Sequence, residues 1–139
     1  MHQNPEPEEI RRLLSEARTV AVVGLSDRPY RTSHGIARTL QGFGYRIFPV
    51  NPNLGGPVLD EEPYSRVPEI PDDVDIVDVI RRSAMLFPVA EDAVAAGAKV
   101  LWMQSGVVNE EAAARAREHG LTVVMDRCIK KDYAYLVGR

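Results

Sequence analysis

The stretch TVAVVGLSDRPYRTSHGIARTL, residues 19–40, gives the clearest indication of the fold of this 139-residue chain. It opens with an apolar run at 19–23, mainly β-branched, which is typical of a strand covered on both faces of a parallel sheet. Gly24 follows at once, where the lack of a Cβ permits a sharp turn and the close approach of a ligand. After a polar loop, a helical pattern begins at about His34 and places Ile36, Ala37 and Leu40 on one face. The stretch predicts a strand, a glycine turn and a helix whose N-terminus can bind an anion.

Composition and charge exclude several classes of function. Apolar residues make up 45% and charged residues 27% of a chain long enough for one globular domain. The net charge of −3 argues against a general nucleic-acid binder. Cys128 is the only cysteine, so no internal disulfide forms, and the polar N-terminus is unlike a signal peptide. No apolar run approaches the ~20 residues that span a bilayer. We therefore expect a cytoplasmic protein that binds neither nucleic acid nor a membrane.

The rest of the chain alternates strand and helix patterns. Residues 1–7 are predicted to be a flexible lead-in, and residues 126–139 a C-terminal tail with a short helix near 132–137. Helices are predicted over 7–17, 34–43, 83–96 and 109–119, and strands over 19–23, 45–50, 74–80, 99–103 and 121–125. Strands joined by helices imply right-handed crossovers. Residues 1–139 are therefore predicted to form a single α/β, Rossmann-like, doubly wound domain with a mainly parallel five-stranded sheet flanked by helices.

The carboxyl ends of the predicted strands indicate where a ligand binds, because ligands of open α/β sheets lie outside those ends. Glycine, small polar or charged residues occupy all five of them, at 24–26, 51–52, 80–83, 104–106 and 126–128. Arginines that could bind phosphate through their forked donors stand at or near the first and third of these ends. They are Arg28, Arg31, Arg38, Arg81 and Arg82, of which Arg38, inside a helix, is expected to be a surface residue.

The first turn departs from the dinucleotide-binding pattern. The second and third glycines of G-x-G-x-x-G are absent after Gly24. An NAD site would also place an acidic residue at the end of the second strand, where this chain has Asn51 and Pro52. Both differences argue against NAD(H), although they leave open another adenine nucleotide with a different phosphate pattern.

Short segments at the strand ends resemble the CoA-binding domain family. They are G-x-S at 24–26, VNP at 50–52, VIRR at 79–82, WMQSG at 102–106 and MDRC at 125–128. The chain looks most like the small stand-alone CoA-binding proteins of bacteria and archaea. More widely, it resembles the N-terminal domain of the succinyl-CoA synthetase α subunit. The resemblance covers about residues 8–130.

The resemblance implies coenzyme A as the ligand, lying across the strand ends. It implies that Gly24, Ser26, Arg28 and Ser33 face phosphate and that Val50, Asn51 and Pro52 line the adenosine region. Ile80, Arg81 and Arg82 would lie beside the nucleotide, and Gln104 and Ser105 near the pantetheine arm. An acidic residue at the end of the second strand would repel the 3′-phosphate of CoA, and position 51 is not acidic.

Catalytic machinery is not evident in the sequence, and neither a catalytic residue nor a metal site is predicted. The three histidines, His2, His34 and His119, do not share metal-ligand spacing. We therefore predict a CoA- or acyl-CoA-binding protein without chemistry of its own. The alternatives are a regulatory protein that binds NAD(H) or another adenine nucleotide, and a minimal acyl-CoA ligase or transferase component using Cys128 or His34. Cys128 could pack the last strand end or form a mixed disulfide with CoA, and a homodimer or a partner protein is possible.

Overall fold

Five parallel strands form one sheet in the computed structural model, which describes residues 1–138. They are β1 (Thr19–Val23), β2 (Arg46–Val50), β3 (Ile76–Val79), β4 (Val100–Met103) and β5 (Thr122–Val124), in the order β2-β1-β3-β4-β5. In the sheet, β2 lies on one side of β1 and β3 lies on the other. The carboxyl ends of β1 and β3 therefore form the switch point at which such sheets bind ligands.

Helices cover both faces of the sheet. Apolar side chains of α1 (Pro7–Glu16), α2 (Thr32–Gly42) and α5 (Ile129–Asp132) pack with alternate strand residues such as Val20 and Trp102 on one face. Those of α3 (Leu86–Ala95) and α4 (Glu110–Glu118) pack with Ala21, Leu101 and others on the opposite face. The predicted α/β fold with a parallel five-stranded sheet is confirmed. Within residues 1–138, no helix is both long and apolar enough to cross a membrane.

The ends of several elements differ from the sequence-based boundaries. The helix predicted over 83–96 is a 3₁₀ turn at Ser83–Met85 followed by α3, which accommodates Pro88 in its first turn. The tail turns helical at Ile129, earlier than predicted, and continues as a π turn over Tyr133–Val137. Pro49 is tolerated within β2 because β2 is an edge strand of the sheet.

The predicted flexible lead-in makes specific hydrogen bonds to the sheet. Asn4 donates from Nδ2 to the carbonyl oxygen of Met125 (2.9 Å) and accepts at Oδ1 from the N–H of Met125 (2.7 Å). The His2 N–H donates to Glu110 Oε1 at 2.7 Å. The segment before α1 is thus attached to the end of β5 and to the start of α4.

Candidate functional site

Three adjoining cavities open at the carboxyl edge of the sheet. The central groove, about 710 Å³, is lined by Gly24, Asn51, Asn53, Ile80, Arg81, Arg82, Met85, Gln104, Ser105 and Val107. The α2 cavity, about 410 Å³, is lined by Gly24, Ser26, Arg28, Arg31, Thr32, Ser33 and Ile80. The apolar slot, about 230 Å³, is lined by Val23, Val50, Pro52, Ser65, Arg66, Val67, Arg81, Met85, Pro88, Val89 and Asp92. Gly24 and Ile80 belong to the first two cavities, and Arg81 and Met85 join the groove to the slot.

Each of the twelve residues that the sequence assigned to the site lines one of these cavities. Gly24, Ser26, Arg28, Ser33 and Ile80 border the α2 cavity, and Val50 and Pro52 border the slot. Asn51, Arg81, Arg82, Gln104 and Ser105 border the central groove. Residues far apart along the chain thus meet because parallel strands end at one edge of the sheet.

Gly24 forms the floor between the groove and the α2 cavity. Its φ of +93° lies in the region that L-residues rarely adopt. A Cβ on this residue would lie 2.3 Å from the carbonyl oxygen of Ile80 and 3.1 Å from Arg81 Cγ. Its N–H donates to the carbonyl oxygen of Val50 at 2.9 Å, which joins the ends of β1 and β2. Only glycine fits this crossing of three strand ends.

The α2 cavity is built around the first turn of α2. Ser33 is buried, and its Oγ accepts from the N–H of Ser26 at 3.0 Å. Ser26 Oγ accepts in turn from the N–H of Arg28 at 3.1 Å, so the two serines hold the loop against the helix. The N–H groups of a first helical turn have no partner within the helix. Together with the helix dipole, they make this cavity suited to an anion.

Asn51 connects the end of β2 to the loop after β1. Its Nδ2 donates to the carbonyl oxygen of Leu25 at 3.1 Å, and its Oδ1 accepts from the N–H of Asn53 at 3.0 Å. The carboxamide is therefore engaged by the backbone on both sides. An acidic residue, which cannot donate when ionised, could not make the bond to Leu25.

Gln104 connects the central groove to α5. It is 4% exposed, and its Oε1 accepts from the N–H of Ile129 at 3.0 Å. Trp102, within β4, donates from Nε1 to the carbonyl oxygen of Arg127 at 2.8 Å. Asp126 Oδ1 also accepts from the N–H of Gly106. These bonds fix the groove wall formed by the loop after β4.

Four arginines give this edge a positive character although the whole chain is slightly acidic. Among residues 1–138, no carboxylate lies within 4.0 Å of the guanidinium groups of Arg28, Arg31, Arg81 and Arg82. Arg28 donates from Nη1 to the Tyr30 hydroxyl, which is at the protein surface. Permanently charged, forked donors without a carboxylate partner are suited to phosphate. Arg38 is exposed on α2, as the sequence predicts.

Two buried ionisable side chains lie on the α2 face of the sheet. Asp78, in register with Val22 and Trp102, is fully buried, and neither of its oxygens has a hydrogen-bond partner among residues 1–138. Burial raises the pKa of Asp78 well above its usual value. His34 on α2 is also buried, with Nδ1 unpartnered among the same residues. The sequence did not predict that Asp78 is buried.

Cys128 is half-buried and serves as the N-cap residue of α5. The neighbouring Arg127 is paired with Asp132, with 2.6 Å between Nε and Oδ2. A mixed disulfide between Cys128 and CoA stays an alternative to packing of the last strand end. Over the part of the chain that the structure describes, no three His, Cys, Asp or Glu side chains are placed to hold a metal ion.

Sequence reasoning missed the outer wall of the apolar slot. Arg66 and Val67 come from the long connection between β2 and β3, and Pro88, Val89 and Asp92 come from α3. Arg66 and Asp92 form an ion pair across the two segments. No local pattern indicates that these residues line a cavity, because the connection is irregular and the spacing in α3 is that of an ordinary helix.

A family model described as CoA binding domain matches residues 18–134. The protein YneT of Bacillus subtilis (strain 168), which is uncharacterized, is 47% identical over 132 residues, or 95% of this chain and 97% of YneT.

Solved structures resemble the whole chain or most of it. A hypothetical protein from Pyrococcus horikoshii OT3 has a TM-score of 0.92 and 33% identity, over 99% of this chain and all of the other (100%). The dinucleotide forming acetyl-coenzyme A synthetase 1 of Ca. Korarchaeum cryptofilum, in complex with phosphate and ADP, has a TM-score of 0.65 and 26% identity. That match covers 76% of this chain but 25% of the synthetase. This chain is therefore similar to one part of a larger enzyme.

Proposed function

Since the chain belongs to the CoA binding domain family, we propose that it binds coenzyme A, or an acyl thioester of it, across the carboxyl edge of the sheet. The observation that carries the proposal is the junction of three cavities of different chemistry at Gly24, Ile80 and Arg81. CoA joins a planar base, a phosphorylated ribose, a diphosphate and a long pantetheine arm. A site for it needs an apolar surface, cationic donors and an open groove side by side.

Each cavity matches one part of the ligand. The α2 cavity, with Ser26, Arg28 and Ser33 at the helix N-terminus, suits the diphosphate. The apolar slot, with Val50 and Pro52 in its wall, suits the adenine ring. The central groove, past Arg82 to Gln104 and Ser105, suits the pantetheine arm. The family resemblance implies phosphate near Gly24 to Ser33, adenosine near Val50 to Pro52 and pantetheine near Gln104 and Ser105, and the contiguity of the cavities supports this division.

The end of β2 makes NAD(H) the weaker alternative. A ribose diol is usually held by an acidic side chain at this place. Asn51 is there instead, and both ends of its carboxamide are engaged by the backbone of Leu25 and Asn53. It therefore has neither the charge nor the free acceptor pair that an NAD site uses.

A role without chemistry of its own fits the chain better than an enzyme activity. The likeness to the synthetase covers 25% of that enzyme, so it supports a CoA-binding role and not the whole reaction. We assign no catalytic residue to it. Two further expectations, a cytoplasmic location and a homodimer or a partner protein, belong to the same proposal, and analytical ultracentrifugation tests the second.

Isothermal titration calorimetry of the purified protein with CoA tests the proposal, with NAD and ADP as competitors. We expect micromolar binding of CoA, weaker binding of ADP and a loss of affinity in Arg82→Ala. Arg46→Ala is the matched control, because Arg46 pairs with Asp72 at the opposite end of β2. Binding of NAD without binding of CoA would contradict the proposal and favour a nucleotide sensor.

A further inference from the structure

The apolar slot carries a second guanidinium besides that of Arg81. Arg66 lines the slot from the connection between β2 and β3, and α3 forms the facing wall. Its Nε donates to Asp92 Oδ2 at 3.2 Å and its Nη2 donates to Asp92 Oδ1. The Asp92 side chain is 15% exposed and that of Arg66 is 67% exposed. A largely covered carboxylate thus orients an accessible guanidinium at the mouth of the slot.

The remaining donors of Arg66 are directed away from Asp92. A guanidinium has five N–H donors, and the bidentate pair with Asp92 uses its Nε edge. The others have no partner among residues 1–138. Glu69 also acts on Arg66 electrostatically, so the guanidinium is in a partly acidic neighbourhood. Any anion that Arg66 binds must therefore be held by specific hydrogen bonds rather than by a diffuse positive field.

The two arginines of the slot have different positions. Arg81 borders both the slot and the central groove, and its Cγ lies 3.1 Å from the position that a Gly24 Cβ would take. Arg81 is therefore on the side of the slot that faces Gly24 and the central groove. Arg66 borders the slot, next to Ser65 and Val67. A base in the slot would carry its ribose, and any phosphate on that ribose, within reach of Arg66.

We infer that Arg66, oriented by Asp92, binds the 3′-phosphate of coenzyme A and so determines the specificity of the site for CoA over dephospho-CoA and ADP. The inference rests on the proposed function. It makes Arg66 a specificity residue and Asp92 a positioning residue.

Calorimetric affinities for CoA and for 3′-dephospho-CoA, at one salt concentration, test this assignment. The wild-type protein should prefer CoA about tenfold or more, as expected for charged hydrogen bonds. Arg66→Ala should lose that preference by weakening CoA binding, with dephospho-CoA binding changed by less than about twofold. Arg66→Lys, which keeps the charge without the fork, should recover part of the preference. Arg46→Ala, which removes another ion-paired surface arginine, should leave both affinities unchanged.

Two results would overturn the inference while the proposed function stands. One is a wild-type protein that binds CoA and dephospho-CoA equally well. The other is an Arg66→Ala variant that keeps the preference, or that loses affinity for both ligands by the same factor. A wild-type protein that binds neither ligand would overturn the inference and the proposed function together. Because Arg66 is exposed, a thermal melt is enough to show that its variants are folded.

Discussion

Gly24 and Ile80 approach so closely that no side chain fits between them. The 2.3 Å between the carbonyl oxygen of Ile80 and a Cβ built on Gly24 is far below an ordinary contact distance. The contact partner is backbone at the end of β3, so it cannot move without distorting the sheet. This crossing is also where the central groove and the α2 cavity meet. The geometry of the candidate site therefore depends on the absence of one methyl group.

Gly24→Ala is expected to lower the free energy of unfolding by roughly 2–4 kcal/mol, because the clash adds to the cost of a positive φ. Urea denaturation measures this change. Gly35→Ala is the matched control, since Gly35 lies within α2 with open space around its Cα, and there alanine should stabilise by roughly 0.5–1 kcal/mol. Equal stability of Gly24→Ala and wild type would mean that the ends of β1 and β3 do not approach this closely.

Asp78→Asn is expected to stabilise the protein at pH 7. Burial raises the pKa of Asp78 in the folded state. The stability that protonated Asp78 contributes is therefore complete below its unfolded pKa of about 3.8 and is lost as the pH rises towards the folded pKa. The loss has a slope of at most about 1.4 kcal/mol per pH unit. Urea denaturation from pH 4 to pH 8 should therefore give curves for wild type and variant that diverge with rising pH. Parallel curves would contradict the prediction.

Asp75→Asn is a control for which the effect on the free energy of unfolding should depend on pH in the opposite direction. Burial acts to raise the pKa of Asp75, but the N–H groups of Arg18 and Thr19 and the nearby Lys99 outweigh it, so the pKa is lowered. The stability that ionised Asp75 contributes is present above its unfolded pKa and is lost as the pH falls. Asp75→Asn should therefore lose most stability near neutral pH and little in acid. Trp102, the only tryptophan and the cross-strand partner of Asp78, reports folding by fluorescence in all three proteins.

Gln104→Ala is expected to lower the free energy of unfolding by roughly 1–3 kcal/mol, because the buried N–H of Ile129 loses its acceptor. Hydrogen exchange should also become faster at the Ile129 amide. Ser105→Ala, which changes the exposed neighbour on the same loop, should stay within about 0.5 kcal/mol of wild type. Unchanged exchange at Ile129 in Gln104→Ala would show that Gln104 does not hold α5 in place.

Asn4→Ala is expected to destabilise the protein by roughly 1–3 kcal/mol, since Asn4 satisfies both backbone groups of Met125. Thermal melting is the measurement. Gln3→Ala is the control, because Gln3 is exposed next to Asn4 and should change stability by less than about 0.5 kcal/mol. If both variants melted like wild type, residues 1–7 would be the flexible lead-in that the sequence predicts.

Much of the fold could be predicted because its signals are local. The β-branched run at 19–23, the glycine after it and the helical spacing from His34 lie within one short stretch. The sequence predicted each strand to within two residues of its observed limits. A parallel sheet then brings all strand ends to one edge, which is why the twelve predicted residues line contiguous cavities.

The less regular segments could not be predicted, because other parts of the chain determine them. The tail becomes helical at Ile129, whose N–H donates to Gln104 Oε1. No pattern within the tail predicts this start. Asn51, which lines the central groove, also bonds through its carboxamide to the backbone of Leu25 and Asn53, and the sequence did not predict these contacts. Side-chain amides serve equally well for either purpose, so residue type alone cannot separate the two roles.

Local sequence was enough to predict the α/β alternation, the position of the glycine turn and the sheet edge at which a ligand is expected. The burial of Asp78, the pairing of Arg66 with Asp92 and the outer wall of the apolar slot arise from the packing of distant segments. The two groups of features differ in the range of the interactions behind them. Periodicity and turn chemistry act over a few residues, whereas the contacts between Asn51 and Leu25, Arg66 and Asp92, and Gln104 and Ile129 join residues 25 or 26 positions apart. Such contacts exist only after the strands have paired and the helices have covered the sheet.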